Sequence, residues 1–297
     1  MLVGRIKVKK TIRIIISITI LVLAGCSSVK TSVDNMNKPN TNKNTSLSSN
    51  QQSQAGDTNT KLLESIDTKK SQFEKGYYDY KGTINTNIPI QMSIYPLEKD
   101  IVGTYYYDKN ENELKLKGKA GEKNIILYEY DETGKNTGIF QGTMSTVDKI
   151  EGTWISADNK ISYPFILSLE DIISGVEYGK RYDKVVNNKS DQDVENFVSK
   201  IKSDILNSNK IQLAEEINYP ISVKINKKII KIENKDDLIK NYDQIFHVNY
   251  KQEISKAPTK HLFVNNQGIM FADGNIWIND VKVTSNTSKL LITFINN

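Results

Sequence analysis

The chain has a single cysteine, Cys26, among its 297 residues. One cysteine allows no internal disulfide, and once it is modified no thiol remains for catalysis or zinc binding. Just before it, Ile14 to Ala24 form an apolar run of eleven residues, interrupted only by Ser17 and Thr19. A helix that crosses a bilayer needs about 20 residues, so the run is too short to span but matches the apolar region of an export signal.

The residues around the cysteine resemble the lipobox of bacterial lipoproteins. Leu23, Ala24 and Gly25 precede Cys26, and the small residues at 24 and 25 would let a peptidase approach the backbone. The resemblance implies a signal peptide at 1–25, cleavage after Gly25 and a diacylglycerol thioether on Cys26. It also implies an extracytoplasmic protein held at the cell membrane by its lipid. An ordinary secretion signal or an uncleaved anchor is the alternative that this segment leaves open.

The positive charge of the chain is concentrated in this leader. Of 40 basic residues, five precede Cys26, where no acidic residue occurs, which leaves 35 against 35 acidic residues. The remaining chain is formally neutral, so we expect no general attraction to nucleic acid. The lysines from Lys224 to Lys235 alternate with isoleucines, a pattern that favours the solvated face of strands over a nucleic-acid patch.

Composition divides the rest of the chain into segments and predicts an α+β protein. Ser, Asn, Thr, Gln and Lys dominate residues 27–60, so we assign residues 26–70 to a lipidated, disordered tether. Leu62, Leu63 and Ile66 indicate a short helix within 61–74, leading into the fold. We assign an antiparallel β domain to residues 71–172, a connector to 173–189 and an α+β domain to 190–297.

Short apolar runs separated by turn residues fill the β domain. Strands are predicted at 88–94, 113–117 and 124–128. Four Gly-Thr pairs, beginning at Gly82, Gly103, Gly142 and Gly152, are interpreted as strand starts. Strands without intervening helices predict an antiparallel meander or small barrel. The Gly-Thr-aromatic segments resemble avidin- and lipocalin-type meanders, a resemblance that carries no ligand residue across.

The pattern turns helical after residue 189. Ser190 and Asp193 form a near capping box ahead of a helix, and Asn234 is predicted to cap another. Between them, a short helix with Ile211, Ala214 and Ile217 on its inner face is predicted to end at Tyr219-Pro220, since proline disfavours helix in the preceding residue.

Strands alternate with these helices and then end the chain. They are predicted at 221–225, 228–232, 262–264, 268–272, 275–280 and 290–295, with Asp273-Gly274 as a tight hairpin. This order resembles the nuclear transport factor 2-like, cystatin-like cone. The resemblance implies a curved antiparallel sheet that wraps the helices and, in many members, a pocket between them. No residue in it is specific to one activity.

The sequence carries no catalytic or metal-binding signature. Gly134-Lys135 lacks the Ser or Thr of a phosphate loop, and the segment from Asp108 lacks the glycine and glutamate of a calcium loop. The only histidines are His247 and His261. His247 is a candidate pocket residue of an enzyme, but the favoured interpretation is that it caps the last carbonyls of the third helix.

These patterns favour a non-enzymatic binding or interaction protein, anchored to the membrane through Cys26. Its ligand, a small molecule or an envelope protein, is not identified, and no cofactor, metal or nucleic acid is expected. An enzyme with a pocket in the C-terminal domain is the first alternative. A structural envelope protein is the second, which an exposed aromatic patch around Tyr105–Tyr107 would favour.

Overall fold

The computed structural model describes residues 61–109 and 112–297, all of which belong to one compact unit. The predicted signal peptide, lipobox and tether residues up to 60 lie outside the described residues. Residues 61–64 are helical, and a 3-10 turn follows at Thr68–Lys70. Leu62, Leu63 and Ile66 pack against apolar residues of the β structure, so this end of the predicted tether is folded.

Eight antiparallel strands form a closed barrel. Each strand pairs with the next along the chain, and β8 returns to pair with β1. The predicted antiparallel meander is therefore confirmed, in its closed form. The strands are β1 Gly76–Ile84, β2 Ile88–Leu97, β3 Asp100–Tyr107, β4 Leu114–Ala120, β5 Asn124–Tyr130, β6 Asn136–Thr143, β7 Lys149–Ser156 and β8 Ser162–Ser174.

The barrel interior is filled by large apolar side chains. Alternate residues of each strand point inward, which places Tyr80, Met92 and Tyr105 in one buried cluster. Tyr105 contacts Phe140 edge to face at 5.3 Å between ring centroids, and Phe140 contacts Phe165 in the same way at 5.1 Å. These edge-to-face contacts bury the rings and fix their relative orientation, so the barrel interior is a packed hydrophobic core.

The Gly-Thr pairs lie inside strands, and their interpretation as strand starts is wrong. A Cβ added at Gly82, Gly103 or Gly152 would lie 1.9, 2.1 or 2.0 Å from a backbone oxygen of the neighbouring strand. Only glycine permits that approach, which the coiled strands of a small barrel require. Gly142 occupies the last-but-one position of β6.

Helices and two small sheets follow the barrel. The strands β9 and β10 form one hairpin, and β11 to β14 form a four-stranded antiparallel meander. The elements are α1 Asp191–Leu206, α2 Lys210–Ala214, β9 Ile221–Ile225, β10 Lys228–Ile232, α3 Lys235–Ile245, α4 Val248–Lys256, β11 Val264–Asn265, β12 Gly268–Phe271, β13 Ile276–Lys282 and β14 Ser288–Ile295.

Two predicted helix caps are confirmed. Ser190 Oγ accepts a hydrogen bond from Asp193 N at 3.1 Å, and the Asp193 carboxylate accepts one from Ser190 N at 2.9 Å. Asn234 Oδ1 accepts a hydrogen bond from Asp237 N at 3.0 Å at the start of α3. These caps satisfy backbone N–H groups that lack partners within a helix, which is why their residue types mark helix starts.

The second predicted helix is wrong in length and in its buried face. It ends at Ala214, and Ile211 is 66% exposed. Ile217 lies beyond the helix and pairs with Ile292 in a parallel bridge. Asn218 N donates to Ile292 O at 2.9 Å, so pairing with β14 replaces the helix before Pro220 is reached.

The predicted connector at 173–189 contributes to the core. Val176, Tyr182 and Val186 are buried in the cluster that also holds the helices and terminal strands. Tyr77 and Tyr95 of the barrel's outer face belong to the same cluster, and Tyr95 Oη donates to Val176 O at 2.9 Å. The connector thus attaches the outer face of the barrel to the C-terminal elements.

Arg181 is the buried centre of this attachment, with a side chain only 3% exposed. Its guanidinium donates to Ser93 Oγ and Asp79 on the barrel, and to the backbone oxygens of His261 and Leu262 on the C-terminal side. Burial alone would lower the pKa of Arg181, but the neighbouring Asp79 carboxylate raises it above its ordinary value. The planar fork of arginine suits four acceptors in fixed positions.

No helix in the described part of the chain is long and apolar enough to cross a membrane.

We predict that Arg181→Met lowers the free energy of unfolding by about 3–5 kcal/mol, because Asp79 is left as an uncompensated buried charge. Urea unfolding at pH 7 measures the change. The double variant Asp79→Asn with Arg181→Met should recover part of the loss.

Lys149→Met is the matched control for this prediction. Lys149 pairs with Glu151 at 2.6 Å with both side chains more than half exposed, so its loss should cost about 1 kcal/mol or less. If Lys149→Met and Arg181→Met lowered the free energy of unfolding equally, this result would contradict a central role for Arg181.

Candidate functional site

A cleft of about 640 Å³ lies between the outer face of the barrel and the segment from α4 to β13. Its lining contains six carboxylates but only three lysines and one histidine. The cleft therefore has an acidic character, although the chain after the predicted signal is formally neutral. Its charged residues are Asp79, Lys81, Asp108, Glu170 and Asp171 on the barrel side, and Glu253, Lys256, Lys260, His261 and Asp273 on the C-terminal side.

Asp79 and Asp171 make the barrel wall of the cleft electrostatically negative. The register of β1 and β8 places the two residues opposite each other. Burial raises the pKa of Asp171, and the nearby carboxylates of Asp79 and Glu170 raise it further. Asp79 gives one oxygen to Arg181, and its Oδ1 has no hydrogen-bond partner among the described residues. A cation bound at this wall would relieve the repulsion between these carboxylates.

His261 lines the cleft and contacts β3 and the residue before β4. Its Nε2 lies 2.7 Å from Thr104 Oγ1 and 3.2 Å from Glu113 Oε1, and Lys260 Nζ donates to Glu113 Oε2 at 2.6 Å. The backbone N of His261 donates to Glu195 Oε1 at 3.1 Å. These contacts hold the segment of Lys260 and His261 against the barrel, so the two sides of the cleft have a fixed separation.

The Glu113 carboxylate is held in its charged form by this arrangement. Burial would raise the pKa of Glu113, but hydrogen bonds with His261 and Lys260 lower it to about 2. The predicted strand 113–117 includes Glu113, whereas β4 begins one residue later and leaves Glu113 free to contact the C-terminal elements.

His247 lies away from the cleft, and its predicted cap at the end of the third helix is wrong. It is the N-cap of α4, a helix that is not among those predicted, and its Nδ1 accepts a hydrogen bond from Tyr250 N at 3.2 Å. The side chain is exposed and does not line the cleft. Because α4 starts immediately after α3, the His247 ring caps the start of α4 and not the end of α3.

No local sequence pattern indicates that Glu129 is a buried carboxylate inside the barrel. It is 3% exposed and accepts hydrogen bonds from Tyr105 Oη at 2.5 Å, Thr137 Oγ1 at 2.6 Å and Trp154 Nε1 at 2.8 Å. Both oxygens are therefore occupied, and their donors come from three other strands. These hydrogen bonds connect β5 to β3, β6 and β7 within the barrel, so Glu129 is a structural carboxylate of the barrel core.

The tyrosines of β3 form no exposed patch. Tyr105 and Tyr106 are fully buried, and Tyr107 is partly buried. Tyr105 points into the barrel, whereas the ring of Tyr106 lies 5.2 Å from that of His261. The observation that would have favoured a structural envelope protein is thus not present.

The described residues contain no group of three or more His, Cys, Asp or Glu side chains placed to hold a metal ion. Leu23, Ala24, Gly25 and Cys26 lie outside the described residues.

We predict that Glu113 makes the stability of the protein sensitive to acid. Its folded pKa is lowered, so its contribution is complete above the unfolded pKa of about 4.5 and is lost as the pH falls towards about 2. Between pH 5 and about pH 2, the free energy of unfolding should therefore fall by about 1–3 kcal/mol less in Glu113→Gln than in the wild type. Urea unfolding at several pH values measures this difference.

Glu132→Gln provides the control, since Glu132 is exposed in the turn between β5 and β6. It should keep the acid dependence of the wild type. If Glu113→Gln keeps it as well, the contacts with His261 and Lys260 do not stabilise the charged carboxylate.

In comparisons with known proteins, no family model, no curated protein and no solved structure matches this chain.

Proposed function

We propose that this chain is a lipid-anchored, extracytoplasmic protein that binds a positively charged ligand in the acidic cleft, without turnover. The anchor is supported by the order of basic residues, short apolar run, small residues and Cys26 in the leader. The polar composition of residues 27–60 supports the proposal of a tether between the anchor and the folded part. The cleft would then be held outside the cell membrane, within reach of envelope components.

We further propose that the C-terminal part is a nuclear transport factor 2-like cone. The order of helices, hairpin, helices and antiparallel meander supports it. So does the burial of α1, α3 and the terminal strands in a common cluster. In this chain the space between helices and strands is occupied by large side chains such as Tyr242, Phe246 and Phe271, which are fully buried. The proposed ligand site is therefore the cleft beside the barrel.

The observation that carries the binding proposal is the uncompensated charge of the cleft. Glu170 pairs with Lys81, and Asp79 pairs with Arg181. Asp171 makes no ion pair with a described residue and has a raised pKa. Its carboxylate is therefore available to a cation. The volume of about 640 Å³ lies within the range of about 300–1,000 Å³ that is usual for small-molecule sites.

The ligand class that fits this cleft bears amino or guanidinium groups, as polyamines and lysine- or arginine-rich peptide segments do. Apolar contacts would come from Phe263 and Met270, which also line the cleft and are only partly buried. A flexible aliphatic chain with terminal charges matches this combination of carboxylates and soft apolar side chains.

We predict that Cys26→Ser abolishes incorporation of radioactive fatty acid, and that the protein is released or remains as an unprocessed precursor. The reason is that serine offers no thiolate for thioether formation. Metabolic labelling and fractionation of the producing cells measure both effects. Ser27→Ala, which leaves the cysteine in place, is the control. A Cys26→Ser protein that stays labelled and membrane-bound would contradict the anchor.

We predict that the protein binds spermine, and that Asp171→Asn weakens this binding roughly threefold to tenfold because one charge of the wall is lost. Calorimetric titration at low and high salt measures the affinity and its expected fall with ionic strength. Asp171 is repelled by its neighbours, so the substitution should leave the free energy of unfolding unchanged or raise it at pH 7.

Glu132→Gln controls for the general loss of an acidic charge and should bind spermine like the wild type. Unchanged affinity in Asp171→Asn, or an equal loss in Glu132→Gln, would place the binding outside the cleft.

A further inference from the structure

The hairpin of β9 and β10 exposes isoleucine in a basic setting. The inner face of the hairpin buries Ile221, Val223 and Ile225 in the C-terminal core. On the outer face, Ile229 is 79% exposed and lies directly opposite Lys224 in the register. The alternation predicted for this segment is present, but it places one isoleucine in solvent among the lysines.

The lysines at the tip have no acidic partners. Lys224, Lys227 and Lys228 are exposed, and none forms an ion pair within the described part of the chain. Lys231 differs, since it pairs with Glu233 at 2.9 Å. Lys224 shares the outer face with Ile229, and Lys227 and Lys228 lie at the turn, which makes the tip both cationic and apolar.

The turn between β9 and β10 has a lysine as its second central residue. Asn226 and Lys227 have φ angles of 51° and 64°, so both central residues are in the left-handed region. Glycine is favoured at the second of these positions, and a lysine there adopts a less favourable backbone. The tip thus carries a charge at a position where turn geometry alone would favour glycine.

The strand beside the hairpin, β14, also exposes a large apolar side chain. Asn297 bonds the backbone N and O of Lys224 through its side chain, both at 2.8 Å, which places the end of β14 beside β9. Ile292 and Ile295 of β14 are buried in the core, whereas Phe294 is 49% exposed. A register shift opposite this segment, between Trp277 and Ile278, breaks the alternation after Ile292, so Phe294 points away from the core while its neighbour Ile295 points into it.

We propose that this hairpin is a second membrane contact, in which Ile229 enters an anionic bilayer surface and Lys224, Lys227 and Lys228 bind its lipid headgroups. Exposed apolar side chains within a cluster of lysines are complementary to a surface that is negative outside and apolar beneath. A phosphate polymer would satisfy the lysines but would offer Ile229 and Phe294 no apolar environment.

The inference rests on the proposed lipid anchor in one respect, which is that the anchor keeps the hairpin close to the membrane. An anchored chain would present the hairpin to the bilayer at high local concentration, so a weak contact would suffice. Docking would orient the protein on the membrane and fix the direction in which the cleft faces.

The test uses Ile229→Cys in the full-length protein, reconstituted in vesicles and labelled with an environment-sensitive fluorophore. We expect a blue shift and quenching by nitroxide-bearing lipids in vesicles of phosphatidylglycerol with phosphatidylcholine, and neither effect in phosphatidylcholine alone. Val283→Cys is the matched control, because Val283 is 54% exposed and follows β13 at the end of the β13–β14 pair remote from Asn297. The fluorophore at position 283 should show the emission of a probe in water in both kinds of vesicle.

Changing Lys224, Lys227 and Lys228 together to glutamine should abolish the response at position 229. Each lysine is expected to contribute about fivefold to docking, and raised salt should reduce the response in the wild type. Label stoichiometry reports the anchor separately, since a lipidated Cys26 leaves one free thiol and an unmodified one leaves two.

A water-like probe at position 229 on anionic vesicles would overturn the proposal, as would an equal response on neutral vesicles. A lysine-dependent response to soluble polyphosphate or nucleic acid, without immersion in vesicles, would show that the hairpin binds a phosphate polymer instead and would also overturn it.

Discussion

The buried guanidinium of Arg181 is the interaction on which the arrangement of the two halves depends. A charge removed from water is tolerated only when its donors are satisfied, and Arg181 finds acceptors in Asp79, Ser93, His261 and Leu262. Two of these partners belong to the barrel and two to the C-terminal side. Any displacement of one half from the other would leave a charge or a carbonyl unpaired, so the geometry between them is closely specified.

The acidic cleft is a consequence of this attachment. Its two walls come from strands of the barrel and from the segment between α4 and β13, and the contacts of Arg181, His261 and Glu113 set the distance between them. Asp79 serves both functions, because one oxygen binds Arg181 and the other has no hydrogen-bond partner within 61–109 and 112–297. The charge that holds the halves together therefore also shapes the electrostatic potential of the proposed ligand site.

Local patterns predicted the elements but not their partners. The capping side chains of Ser190 and Asn234 act within three residues, so they mark helix starts whatever the tertiary structure is. The hairpin strands at 221–225 and 228–232 were predicted with their observed limits. Errors arose where distant backbone decided the outcome, as at Ile217, which pairs with Ile292, and at Gly82, where the approach of β8 requires the glycine.

The sequence alone determined the antiparallel meander, the helix caps and the formal neutrality of the chain after Gly25, because each follows from neighbouring residues or from composition. The tertiary structure decided the closure of the barrel, the burial of Arg181 and Glu129, and the position of the cleft. Arg181 meets its acceptors across 80 to 102 residues of chain, and Glu129 meets Tyr105 across 24. Such contacts depend on three-dimensional packing, since no local periodicity records which distant carboxylate or carbonyl a buried side chain will bind.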